Sequence, residues 1–191
     1  MRILCDVDGV FADFTGHTLT VLGELAPEGG EQAITSWQIL DHFSESTREI
    51  CLKIWKDSGW CASIPPYPEA VEAYRKLSTI GKVVWVTAPL KGAPHWHLER
   101  LEWLETHFGA SEEDVVFTHD KSHVWGDVLI DDKLENVQTW AETHKQGIGI
   151  LWDRPYNRAS TPAGTKRVHS WWEVYDHLST TKMRKALFPN R

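Results

Sequence analysis

Asp6 and Asp8 stand two residues apart, directly after the apolar run Ile3-Leu4-Cys5 and just before Gly9. An apolar run bounded by acids and a glycine predicts a short buried strand that ends at Asp6. The two-residue spacing puts both side chains on one face if the strand continues, and Gly9 lets the chain turn. Carboxylates at the carboxyl end of a buried strand can hold a divalent cation, attack an electrophile or pass protons. The same residues also fit a solvated Asp-x-Asp-Gly turn after an edge strand, so the rest of the chain has to decide.

Three further groups fall at expected strand ends. Thr87 follows the apolar run Val83 to Val86, Lys121 comes shortly after Val115 to Thr118, and Asp131-Asp132 follow Val128 to Ile130. In a parallel sheet these ends lie along one rim. A hydroxyl, an ammonium and several carboxylates would then share one cleft. That inventory suits phosphoryl transfer to an aspartate. Asp6 would attack phosphorus, and a magnesium ion held by carboxylates would neutralise the approaching phosphate. Lys121 would balance charge on the nucleophile, and Thr87 would donate to a phosphoryl oxygen. Asp8 could protonate the leaving oxygen and then activate water. Singly, Thr87 reads as an ordinary β-former and Lys121 as a solvated charge. Adjacent acids such as Asp131 and Asp132 repel, which a cation would relieve. The order of all four carries the signal.

Positioning these groups requires alternating strands and helices. A first helix is expected over Thr15 to Leu25, stopped by Pro27, Gly29 and Gly30. From about Glu31 to Pro66 the apolar spacing predicts two or three short helices and no strand, with Ser46 as a cap and Glu49 three residues on. This reads as a small helical insert, residues 15–66, over the mouth of the site. The core would be 1–14 and 67–191. Pro68 is expected in the first turn of a helix carrying Val71, Tyr74 and Leu77. A strand over 82–87, a helix from His95 to Phe108 and strands over 114–118 and 127–130 follow. Then come a helix from Leu134 to Lys145, a strand from Ile148 to Trp152, an extended piece at Val168 and a helix after Ser170. The last dozen residues are basic and expected to be loosely held.

Apolar residues make up 41% of the 191 and charged residues 25%, enough for one domain with a real core and a polar surface. A net charge of −7 argues against a general binder of nucleic acid or anionic membrane, while leaving room for a local phosphate pocket. Cys5, Cys51 and Cys61 have no zinc-like spacing and suggest reduced thiols in a cytoplasmic setting. No leader is expected ahead of the first strand, and no apolar run approaches membrane-spanning length. Most of the eleven tryptophans should be core, with a few available to stack on a ring-bearing ligand. His95 and His97 do not share a helix face and are assigned no metal.

With these residues in place, the chain resembles the haloacid dehalogenase (HAD) phosphohydrolases. Asp6-Val7-Asp8-Gly9-Val10, Thr87, Lys121 and Asp131-Asp132 match their four motifs in order. It is more closely similar to the 5′(3′)-deoxyribonucleotidases through Phe11 to Phe14, Pro68 to Ala73, Val86 to Pro89, Asp120 to Ser122 and Leu129 to Lys133, and weakly through Trp152 to Asn157. The resemblance implies an α/β, Rossmann-like, three-layer core with a parallel sheet and a small helical cap inserted after the first motif. It implies Asp6 as nucleophile, Asp8 as acid and base, and Mg2+ held by the Asp6 carboxylate, the Asp8 main-chain carbonyl and Asp132, with Asp131 behind. Phe14, Trp37 and Trp60 resemble the family's base-stacking surface, although Trp37 and Trp60 fit core packing equally well. Gln38 could read a base edge. Ala88 stands where relatives commonly carry serine, so one hydroxyl donor to phosphate is lost and the main-chain N–H remains.

The expected activity is hydrolysis of (deoxy)ribonucleoside monophosphates. A phosphatase for another small phosphomonoester, such as a sugar phosphate, shares the chemistry but would line its pocket with polar groups instead of rings. A non-catalytic phosphate binder would have no need of Asp6 and Asp8 together. A polynucleotide end-phosphatase is disfavoured by the acidic balance. The sequence does not set monomer against homodimer.

Overall fold

The structure, a computed structural model, describes the backbone of residues 1–187 and the side chains of 1–181. Six strands form one parallel sheet: β1 (Arg2–Cys5), β2 (Lys82–Thr87), β3 (Val115–Phe117), β4 (Val128–Asp131), β5 (Ile148–Trp152) and β6 (Lys166–Val168), in the order β3-β2-β1-β4-β5-β6. β1 is central. Leu4 pairs with Val84 on one side and with Leu129 on the other. The chain order reverses between β1 and β4, which is where an open α/β sheet leaves a crevice beyond its carboxyl ends.

Period-two alternation divides the apolar strand residues between two faces. Ile3, Cys5, Val83, Trp85, Val128 and Ile130 join the large core cluster. Leu4, Val84, Val86 and Leu129 join a smaller one around Trp140 and Val124. Seven α-helices occur among the described residues: α1 (Phe14–Leu22), α2 (Glu45–Ile54), α3 (Trp60–Ser63), α4 (Ala70–Ile80), α5 (Trp96–Phe108), α6 (Leu134–Thr143) and α7 (Trp171–Leu187). α4 packs on α5, α7 and β2, whereas α6 packs on β4 and β5 from the other face. The fold is therefore the three-layer α/β arrangement expected from the sequence. Trp85 anchors the larger core, 4.8 Å from Phe11 and stacked at 5.4 Å on Tyr74. Emptying such a site costs about 3–5 kcal/mol.

Between Asp13 and Pro66 the chain is helical, with α1, α2, α3 and three 3-10 turns at Gly23–Leu25, Gly30–Ala33 and Ile39–His42. Its two ends are tied together. Ala12 bridges Pro66, Asp13 N–H donates to the Pro65 carbonyl (2.9 Å), and Tyr67 N–H donates to that of Phe11 (2.8 Å).

Some boundaries differ from expectation. α1 stops at Leu22, where Gly23 takes φ 55° and the helix tightens into 3-10. Ser44, not Ser46, caps α2: it is extended, and its hydroxyl accepts from Thr47 N–H at 3.3 Å. Ser46 lies inside that first turn. Pro68 sits in the turn ahead of α4, because Glu69 adopts φ 66° before the helix starts. The basic tail expected to be loose has its side chains outside the described residues from 182 on. Among the described residues, no helix is long and apolar enough to cross a membrane.

Candidate active site

Asp6 follows β1 directly, with its N–H on the Ile130 carbonyl at 2.9 Å, so its position is fixed by sheet pairing. Its carboxylate accepts from Val7 N–H (2.7 Å) and pairs with Lys121 Nζ (2.7 Å). Burial pushes the Asp6 carboxyl well above the ordinary range; Lys121 opposes this, and Asp131 and Asp132 add to it. Residues 7–12 then close a tight loop in which the Phe11 and Ala12 N–H groups donate to the Val7 carbonyl, each at 2.8 Å. Gly9 is required there. It has φ +78°, and a Cβ would collide with the Asp132 carboxylate and the Tyr156 hydroxyl. Asp8 lies on this loop and pairs with Arg100 Nη2 at 2.6 Å.

Lys121 opens a 3-10 turn, Lys121–His123, that Asp120 caps by accepting from Ser122 N–H. Its side chain is 2% exposed and bridges Asp6 and Asp131, at 2.7 and 2.6 Å. Burial alone would lower its affinity for the proton, but Asp131 and Asp6 outweigh burial and hold it above the usual lysine range.

Asp131 and Asp132 are both buried, yet their surroundings differ. Asp131 accepts from Lys121 Nζ, from Lys133 N–H (2.7 Å) and from Asn136 Nδ2 (3.1 Å), so both of its oxygens are used. Asp132 accepts from the Tyr156 hydroxyl on Oδ2, while its Oδ1 is buried with no partner. Burial, reinforced by Asp131, pushes its carboxyl up to about 7. One oxygen each from Asp6, Asp131 and Asp132 lie within 4.8 Å of one another. Three carboxylates stand here against one ammonium. Thr87 ends β2, 1% exposed, and its hydroxyl is also buried without a partner.

Asp6, Asp8, Thr87, Lys121 and Asp132 line a cavity of about 680 Å³, together with Ala88. Phe14, Trp55 and Trp96 supply one aromatic wall. Trp37 and Gln38 also line the cavity, with Trp37 edge-on to Tyr156 at 5.5 Å and Lys133 Nζ 5.1 Å from its ring. Lys91, His119 and Asn136 add polar groups. The structure thus gathers Asp6, Asp8, Thr87, Ala88, Lys121, Asp132, Phe14, Trp37 and Gln38 around one cavity. Asp131 sits just behind it. Trp60 is not on the lining. It is 7% exposed and packs against His17 (4.6 Å) and Phe14 (6.4 Å), because α3 turns it under the aromatic wall.

Arg100, Tyr156, Trp55, Trp96, Lys91, His119 and Lys133 were not singled out by sequence reasoning. Arg100 had one signal: it lies four residues after Trp96 and three before Trp103, on the buried face of its helix. Tyr156 lies in the segment that carried only a weak resemblance.

The family model described as 5′ nucleotidase, deoxy (pyrimidine), cytosolic type C matches residues 1–184. The mitochondrial 5′(3′)-deoxyribonucleotidase of Mus musculus is 30% identical, covering 95% of this chain and 86% of its own. The chain belongs to the 5′(3′)-deoxyribonucleotidase family. The cytosolic-type 5′(3′)-deoxyribonucleotidase of Homo sapiens is 28% identical, covering 97% of this chain and 96% of its own. Among solved structures, a HAD family hydrolase from Deinococcus radiodurans R1, with bound phosphate and sodium, superposes with TM-score 0.56 at 15% identity, over 98% of this chain and 95% of that one. A haloacid dehalogenase-like family hydrolase from Xanthomonas campestris gives TM-score 0.53 at 13% identity, over 97% and 94%. These likenesses establish a HAD-like fold.

Proposed function

We propose that the chain is a magnesium-dependent phosphatase that hydrolyses (deoxy)ribonucleoside monophosphates through a phosphorylated Asp6. The observation that carries this reading is the base of the cavity. Asp6 pairs with a buried Lys121, and two further buried oxygens, Thr87 Oγ1 and Asp132 Oδ1, have no partner in the protein. Buried polar atoms are rarely left so. A phosphoryl oxygen would satisfy the hydroxyl and a cation the carboxylate.

The donor set fits magnesium: hard oxygens, with more negative charge than Lys121 balances. The Asp6 carboxylate, the Asp8 main-chain carbonyl and Asp132 would hold it. Asp131, with both oxygens already used, would hold Lys121 instead. When bound, the ion neutralises phosphate charge next to the nucleophile.

An Asp6 oxygen attacks phosphorus and the P–O ester bond breaks. The Asp8 carboxyl gives its proton to the leaving oxygen and becomes a carboxylate. That carboxylate next takes a proton from the water that attacks the aspartyl phosphate; the Asp6–P bond breaks, and phosphate leaves. Thr87 and the Ala88 N–H serve the phosphoryl oxygens, and Lys121 balances Asp6. Phe14, Trp55, Trp96 and Trp37 in the lining suit a flat base better than a sugar. Gln38 is within the same lining and is assigned to a base edge. Residues 15–66 act as the cap, and 1–14 with 67–191 form the catalytic core. Three free, buried cysteines fit the cytoplasm.

Phosphate release with magnesium from a panel of dNMPs, NMPs and sugar phosphates tests this. dNMPs should lead, and Asp6→Asn or EDTA should abolish release. Turnover of sugar phosphates alone would remove the nucleotide assignment, and no turnover at all would remove the phosphatase.

A further inference from the structure

Arg100 lies on the second turn of α5 and is fully buried. Its guanidinium carbon sits 5.3 Å from the centre of the Trp96 ring and 5.1 Å from that of Trp103. Nη2 donates to Asp8 Oδ1 at 2.6 Å, Nε and Nη1 make no hydrogen bond, and the guanidinium stands beside the buried Cys61 thiol. A buried arginine with most of its donors unused is costly, and a buried ion pair is worth little net against an apolar replacement. Stability is thus a poor reason for arginine at this position. Geometry offers a better one. Asp8 sits on a loop, and its side chain is 25% exposed at the cavity. A loop carboxylate of that exposure would sample several rotamers. Arg100 is held between two rings on a rigid helix and takes Oδ1, which leaves Oδ2 for the cavity.

The helix itself is pinned from the other side. The neighbouring Glu99 accepts from Gly59 N–H (2.6 Å) and Cys61 N–H (3.0 Å), at the start of α3. Residues 99 and 100 therefore join the helical segment over the site to the side chain of Asp8.

We propose that Arg100 is a positioning residue for Asp8, fixing its carboxyl so that Oδ2 delivers the proton to the leaving oxygen. This rests on the role given to Asp8 above. The ester P–O bond breaks with its electron pair on the leaving oxygen, and that oxygen takes the Asp8 proton. A nucleoside alkoxide needs the proton to leave; p-nitrophenolate does not.

The test compares Arg100→Met and Arg100→Lys with wild type on a deoxyribonucleoside monophosphate and on p-nitrophenyl phosphate. kcat/KM is read, since it covers the chemistry through formation of the aspartyl phosphate. Arg100→Met should lose about 100-fold on the nucleotide and under about 5-fold on the nitrophenyl ester, the asymmetry expected when general-acid catalysis fails. Arg100→Lys keeps the charge without the fork and should recover part of the nucleotide rate, with a loss of about 10-fold. If Arg100→Met does not fold, Arg100→Lys carries the same comparison. Equal losses on both substrates, or none on either, overturn the positioning role. Wild type inactive on both overturns the phosphatase reading and this inference with it.

Discussion

Thr87 carries a buried hydroxyl that nothing in the protein satisfies. Replacing it by the isosteric valine removes a desolvated polar group, so Thr87→Val should match or exceed wild-type stability by up to about 1 kcal/mol in denaturant unfolding. The same change removes a donor to the transferring phosphoryl group and should lower kcat about 100-fold. Stability and rate moving in opposite directions would identify the hydroxyl as a ligand group. Loss of both would make it structural. At this scale the sequence was informative wherever chemistry sits at a strand end, because Asp6, Thr87, Lys121 and Asp131-Asp132 are each flagged by an apolar run before them. It was weak for Arg100, Trp55 and Trp96, whose roles depend on which helix face meets the cavity. Trp60 fits a stacking wall and core packing equally well from its sequence, and it is buried off the cavity lining, a distinction set by the rotation of one short helix.

The helical stretch between Asp13 and Pro66 meets the rest of the chain at a small polar junction. Glu31, in the 3-10 turn Gly30–Ala33, stands beside the Asp13 carboxylate and accepts from the Tyr67 hydroxyl at 3.4 Å. Arg154 lies 4.0 Å over the Tyr67 ring and donates to the Gly9 carbonyl at 2.7 Å. Burial, then the Asp13 charge, raises the Glu31 carboxyl above its ordinary range. A raised folded-state value means that Glu31 stabilises fully below its unfolded range. That stabilisation is lost as pH rises through the folded value. Glu31→Gln imitates the protonated form. Its Tm gain over wild type should be larger at about pH 7.5 than at about pH 4.5. A gain independent of pH would show that Asp13 and Glu31 do not share a proton. This junction was not legible from spacing, since Asp13, Glu31, Tyr67 and Arg154 come from four separate stretches. Helix existence was legible from apolar period. Helix ends were less so, as with Ser44 and Ser46, because two nearby hydroxyls compete for one cap and backbone geometry chooses.

Across the whole molecule, one parallel sheet brings Asp6, Thr87, Lys121, Asp131 and Asp132 to one rim, and the result is a concentration of acid around Lys121. The fold therefore holds unfavourable charge in its metal-free form, and magnesium should stabilise it. At 100 times its Kd the ion adds about 2.7 kcal/mol, which raises Tm by about 5–10 °C in a thermal melt. EDTA should reverse the shift, and Asp132→Asn should remove most of it. A Tm indifferent to magnesium would contradict the assignment of Asp6 and Asp132 as ligands. The α/β rhythm was legible at this scale because strands and helices alternate from Pro68 onward. The strand order was not, since register depends on pairings far apart in sequence, such as Leu4 with Leu129.

A two-step transfer through Asp6 leaves its mark on the stereochemistry at phosphorus. A deoxyribonucleoside monophosphate made chiral at phosphorus with oxygen isotopes would be hydrolysed with magnesium present. Two in-line displacements, first by Asp6 and then by water, predict retention of configuration. Inversion would mean that water attacks the substrate directly, and would contradict the role of Asp6.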